Sequence, residues 1–148
     1  MKINILAVSI SCLVASVFIS CDDEAGDTVP PVINLIAPAE GAELHIGSAI
    51  YFDMELFDNE MLLSYKVEIH HNFAHHEHGK SLKSKNEEEA TAFFFHKAWD
   101  VSGQKNAKIH HHEIEIPSDA TPGDYHLMVY CSDAAGNESH VARNIVLM

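Results

Sequence analysis

Cationic side chains are scarce in this chain: nine Lys plus Arg stand against 22 Asp plus Glu, a formal charge of −13 with histidine neutral. Binding a nucleic-acid backbone takes a basic face, so nucleic acid is excluded as a partner. A charge of this sign favours solubility or the attraction of cations instead. Cysteine is rarer still, three in 148 residues, which leaves no disulfide framework to hold a domain together. Catalytic signatures are missing as well. There is no G-x-S-x-G, no phosphate-binding loop and no H-E-x-x-H, because "HHEHG" and "HHHEIEIP" pair His with Glu at other spacings. The expectation is a binding protein, not an enzyme.

The one long apolar run is at the start. "MKINILAVSISCLVASVFISC" opens with Lys2 and then runs apolar to Ile19, the pattern of a secretory signal over residues 1–20. It is short for a membrane span and passes directly into acidic residues rather than basic ones. Phe18-Ile19-Ser20-Cys21 resembles the lipobox of bacterial lipoproteins, with Phe18 where Leu is usual. The resemblance implies cleavage before Cys21 and a lipid on its thiol. Asp22, Asp23 and Glu24 resemble the acidic surface-export tag of Bacteroidetes lipoproteins, implying a lipid-anchored protein of the outer membrane, exposed at the cell surface and touching the membrane only through its anchor. Loss of the signal leaves eight basic residues against 22 acidic ones, a formal charge of −14. Residues 21–30 read as a tether, stiffened by Pro30-Pro31, and 31–148 as a single domain.

Within that domain the apolar residues alternate and show no helical period. In "SAIYFDMELFD", Ile50, Phe52, Met54 and Leu56 share one face. "LLSYKVEIHH" places Leu63, Tyr65, Val67, Ile69 and His71 together, and "GDYHLMVYCSD" does the same for Tyr125, Leu127, Val129 and Cys131. In "KIHHHEIEIP", simple alternation puts His110 and His112 with Ile114 and Ile116, and His111 outward. Strands at Val32–Ile36 and Val141–Leu147 open and close the domain, and "AFFFHKAW" adds one more. Residues Gly79–Ala92 are polar and read as a long loop or short helix. The fold class expected is all-β, an immunoglobulin-like antiparallel β-sandwich.

What the chain has in excess is imidazole, with 12 His. "HHNFAHHEHG", His70 to Gly79, holds five and "HHH", His110 to His112, three more. Neutral imidazole is a common ligand for zinc, copper and nickel. His76 and His78, like His110 and His112, are spaced to project from one face of an extended segment, and His71 and His75 from one helical turn. In an immunoglobulin-like order the strand ending at His71 pairs antiparallel with the one starting at Tyr125, which sets His70 beside His126. The expected metal locus is therefore His70 and His126, completed by His76, His78 and either His71 or His75, with His45 approaching the same pole. Glu68, Glu77 and Glu113 are candidates to orient the rings. His110 and His112 either join this locus or form a second one, the latter if a hairpin at "SGQKN" sets His96 opposite His112. Zn2+ is the expected ion, with Cu2+ or Ni2+ as alternatives. Cys131, on a core face, is an inert thiol. "SDAAGN" resembles calcium-associated loops of other immunoglobulin-like modules, but one carboxylate with one amide is too few oxygens for calcium, so Gly136-Asn137 reads as turn chemistry.

"PPVINLIAP", "HHNFAHHEHG", "HHHEIEIP" and "GDYHLMVYCSDAAGN", together with the lipobox, resemble a family of Bacteroidetes lipoproteins carrying the domain of unknown function DUF4625. The resemblance implies a surface-anchored immunoglobulin-like domain and brings no activity. The functional expectation thus rests on the residues: a surface-tethered, non-catalytic binder of a transition metal ion. The alternatives are a structural or adhesion module without metal, or a haem binder using a His pair near Phe73 or Phe94.

Overall fold

The computed structural model describes residues 26–72 and 92–148. Their strands are β1 (Val32–Ala37), β2 (Ala42–Leu44), β3 (Ala49–Phe57), β4 (Leu62–His71), β5 (Phe95–Asp100), β6 (Asn106–Glu115), β7 (Gly123–Asp133) and β8 (Glu138–Leu147). They form two sheets, ordered β1-β3-β6 and β2-β8-β7-β4-β5. Every pairing is antiparallel except that of β2 with β8. β3 pairs with β6 and β4 with β7, so the two sheets are interlocked along the chain in the immunoglobulin-like manner. Among the described residues no helix is long and apolar enough to cross a membrane.

Alternation builds the core as the sequence implies. Ile50, Phe52, Met54 and Leu56 of β3 are fully enclosed, and Val67, Ile69, Leu127, Val129 and Cys131 close over them from the other sheet. Burying one such aliphatic or aromatic side chain contributes about 1.5–3 kcal/mol. Phe93, just before β5, is buried, and Phe95 and Trp99 of β5 pack against the core.

Two bulges overturn the alternation where it was read too simply. In β4 the register shifts between Leu62 and Ser64, so Leu62 is buried and Leu63 is turned out. Between β3 and β6, Ile50 pairs with Ile114 but Phe52 pairs with His111, so two residues of β6, His112 and Glu113, stand against one of β3, Tyr51. An extra residue inverts the phase on one side of it. Ala107, Ile109 and His111 therefore face inward, while His110 and His112 face out, the reverse of the alternation carried back from Ile114 and Ile116. The "SGQKN" connection is not a hairpin either, because β5 belongs to one sheet and β6 to the other.

Candidate metal centres

His70 and His126 stand opposite each other on β4 and β7, as the topology requires. They alternate with buried Ile69, Tyr125 and Leu127 and so leave the outer face of the five-stranded sheet. Their rings meet edge to face with centroids 5.5 Å apart. His126 Nε2 lies 2.7 Å from Asn72 Nδ2; an amide nitrogen only donates, so Nε2 accepts and the ring proton belongs on Nδ1. Next along the same row, Asn144 pairs with His126, and its side-chain and backbone N–H groups donate to Glu40. Those bonds hold the Glu40 carboxyl below its ordinary value. His71 is exposed at the end of β4 and, following His70, projects from the opposite side. His75, His76, His78 and Cys21 lie outside the described residues.

His110 and His112 form a separate patch on the outer face of the three-stranded sheet. Both touch Tyr51, with ring centroids at 5.1 and 5.4 Å, and each other at 5.9 Å. Asp53, which pairs with His110, accepts a 3.4 Å hydrogen bond from the Tyr51 hydroxyl. The core lies between this patch and the His70–His126 pair, and packed sheets stand about 10 Å apart. The two patches cannot share one ion. His96 is not opposite His112 but opposite Glu68, with Nε2 3.9 Å from its carboxylate.

His111 has a different environment. Its ring is stacked on Phe52 at 5.1 Å and on Trp99 at 5.0 Å, and Nε2 is 3.3 Å from the Tyr65 hydroxyl. Burial pushes its pKa down and keeps it neutral. Trp99 also donates to Glu113 at 3.0 Å, and Lys97 holds the same carboxylate. Glu113 thus ties β6 of one sheet to β5 of the other, each an edge strand.

Among the described residues, the set of three or more metal-binding side chains that brings a ligand atom from each within 4.8 Å of the others is acidic: Asp27, Asp58 and Asp133. Asp27 precedes β1, Asp58 begins the β3–β4 turn and Asp133 ends β7. Local hydrogen bonds position each one. Asp58 Oδ1 accepts from the backbone of Glu60 and Met61 at 2.9 and 2.6 Å, folding the turn. Asp133 accepts from the backbone and side chain of Asn137 at 2.8 and 2.7 Å. Asp27 Oδ1 accepts from Asn59 Nδ2 and the Val29 backbone, while its carbonyl accepts from Asn137 Nδ2. Burial would push the Asp133 carboxyl up, but the bonds from Asn137 and the following turn outweigh it and hold the group below its ordinary value.

The other oxygens of this cluster stand out. Asp27 Oδ2 and Asp58 Oδ2 are both shut off from solvent and have no hydrogen-bond partner. Buried acceptors are nearly always satisfied, and neighbouring carboxylates repel unless a cation lies between them. Oxygen-only donors of this kind suit a hard cation: Ca2+ takes six to eight oxygens at about 2.3–2.6 Å, and Mg2+ demands a tighter octahedron.

The motif "SDAAGN" by itself offers one carboxylate and one amide. Asp133 and Asn137 do make the turn, but the turn also presents Asp133 to two carboxylates from elsewhere. One signal was available: antiparallel pairing of β4 with β7 sets the β3–β4 turn beside the β7–β8 turn, and each contains an Asp. Nothing in the tether, read alone, marks Asp27.

No curated protein matches the chain. The model of a family described as a domain of unknown function, DUF4625, matches residues 19–148 and takes in every strand of the sandwich. With that match spanning most of its length, the chain belongs to the DUF4625 family.

Proposed function

We propose that this protein is a tethered immunoglobulin-like module that takes up a divalent cation without catalysing a reaction, anchored at the outer-membrane surface through lipid on Cys21. The observation that carries the reading is the pair of buried, unpartnered oxygens on Asp27 and Asp58 beside the enclosed Asp133. A hard ion supplies the missing partner for both oxygens and offsets three negative charges at once. Calcium is the preferred ion, because the ligands come from two turns and a tether rather than from rigid strand interiors. Titration of untagged protein with CaCl2, followed by melting temperature, tests it. Ligand at 100 times Kd adds about 2.7 kcal/mol, or a rise of about 5–15 °C for a domain of this size. A melting temperature that does not respond to calcium or to a chelator removes the proposal.

A second reading keeps the transition metal, Zn2+ before Cu2+ or Ni2+, on the imidazoles. It is supported by the facing rings of His70 and His126; for His126 to ligate an ion, its Nε2 lone pair would exchange the bond from Asn72 for the metal. This site needs further ligands, for which His76 and His78 remain the candidates. Elemental analysis of untagged protein distinguishes the readings, since the acidic site retains calcium and the imidazole site retains zinc, copper or nickel.

A further inference from the structure

The pole that carries Asp27, Asp58 and Asp133 is also apolar at its rim. Val29, Val32, Phe57 and Met61 are exposed there by 54, 60, 40 and 45%. Val29, Pro30, Val32 and Phe57 line a shallow groove of about 220 Å³ whose remaining wall is Asp58 and Asn59. Large apolar side chains gathered around a charged centre mark a contact surface rather than a solvated one.

The tether decides what this pole faces. Asp27 is six residues after Cys21, a reach of about 20 Å even when fully extended. With Cys21 lipidated, the acidic pole and its apolar rim are held next to the bilayer. Without an ion, the three aspartates and the exposed Glu60 oppose an anionic surface, with Lys105, bonded to the Asn59 carbonyl, as a cation beside them. A bound calcium ion reverses this, because three carboxylates leave some of its six to eight coordination positions open to phosphate oxygens.

We propose that the acidic pole is a calcium-dependent membrane-contact surface, in which the ion bridges Asp27, Asp58 and Asp133 to lipid phosphate while Val29, Val32 and Phe57 enter the headgroup layer. This rests on the cation reading above and on the lipid at Cys21, and it names the partner of that site. The domain would then lie down on its membrane when calcium is present and stand off when it is absent.

Vesicle co-sedimentation tests it, using the mature chain with Cys21→Ser so that no acyl chain contributes. Vesicles of phosphatidylcholine with 30% phosphatidylglycerol (about one lipid in three, enough to give a negative surface) are compared with phosphatidylcholine alone, with calcium or chelator. The expected result is sedimentation with the mixed vesicles in calcium, reversed by chelator. Val29→Ser with Val32→Ser should weaken it about tenfold while leaving the calcium-induced rise in melting temperature unchanged. Asp58→Asn should remove both. A rise in melting temperature without vesicle binding overturns the membrane contact and leaves the cation site standing. Binding that ignores calcium overturns the bridge, as does calcium-induced self-association by light scattering in its place. No rise in melting temperature sinks the cation site and this inference with it.

Discussion

The Asn137 side chain donates to the main-chain oxygen of Asp27, 110 residues earlier, at 3.0 Å, and to the carboxylate of Asp133 at 2.7 Å. One amide thus joins the last turn of the sandwich to the segment that leads into its first strand. Asn137→Ala removes both bonds, one of them to a charged group, and is expected to lower stability by about 1.5–3 kcal/mol. Urea denaturation measures the loss. Limited proteolysis should show earlier cleavage around residues 26–31 in the variant than in the parent.

Asp58→Asn has opposite effects with and without the ion. The amide oxygen still accepts from Glu60 and Met61, so the turn survives, but one of three crowded charges is gone. In chelator the variant should be more stable than the parent by about 1 kcal/mol. In calcium it should be less stable, because the gain on binding is lost. Melting curves under both conditions read the crossover; a variant destabilised equally in both would mean that Asp58 serves the turn alone.

Stability should fall with acidity through His111. Its folded pKa is depressed by burial below the ordinary 6.5, so the unfolded chain binds the proton more readily. The stabilisation present above pH 6.5 is lost as pH drops through the depressed folded value. His111→Phe keeps a ring between Phe52 and Trp99 and cannot protonate, so its stability profile should be flatter over that window. Trp99, the single tryptophan, stacks on this ring and reports the change by fluorescence.

Cys131 is fully buried on β7, and burial pushes its thiol up to about 12. A thiol reagent should therefore label it only as fast as the domain opens, and denaturant should expose it at once. Labelling of native protein at the rate of a free thiol would contradict the core assignment.

Zinc titration separates the two imidazole patches. Replacing His70 and His126 by Ala, or His110 and His112 by Ala, should affect zinc binding independently, because opposite outer faces share no ligand. Calorimetry on the two double variants and their combination measures this. A combination much worse than the sum would mean that the patches communicate.

Strand faces were legible wherever the pleat was regular. Ile50 to Leu56, Tyr65 to Ile69 and Tyr125 to Cys131 needed only a period of two, and the pairing of His70 with His126 followed from topology. Reading failed at β6, where the extra residue near His112 leaves no mark in composition: His, His and Glu fit either side of a strand. It failed again at the acidic site because ligation there depends on three segments meeting in space. Each aspartate alone has a sufficient local explanation, as tether, turn or strand end.

The bulge in β6 absorbs an extra residue without turning either half of the strand away from the core: Ala107, Ile109 and His111 point inward before it, Ile114 and Ile116 after it. Delete one residue between His111 and Ile114 and the pleat would run unbroken with His111 still against Phe52 and Trp99, because two regular steps return a side chain to the same face just as the present three do with the bulge. Length at this one point can therefore change by one residue without moving the stacked neutral ring, and relatives one residue shorter there should keep the same response to acid wherever the equivalents of His111 and Trp99 are retained.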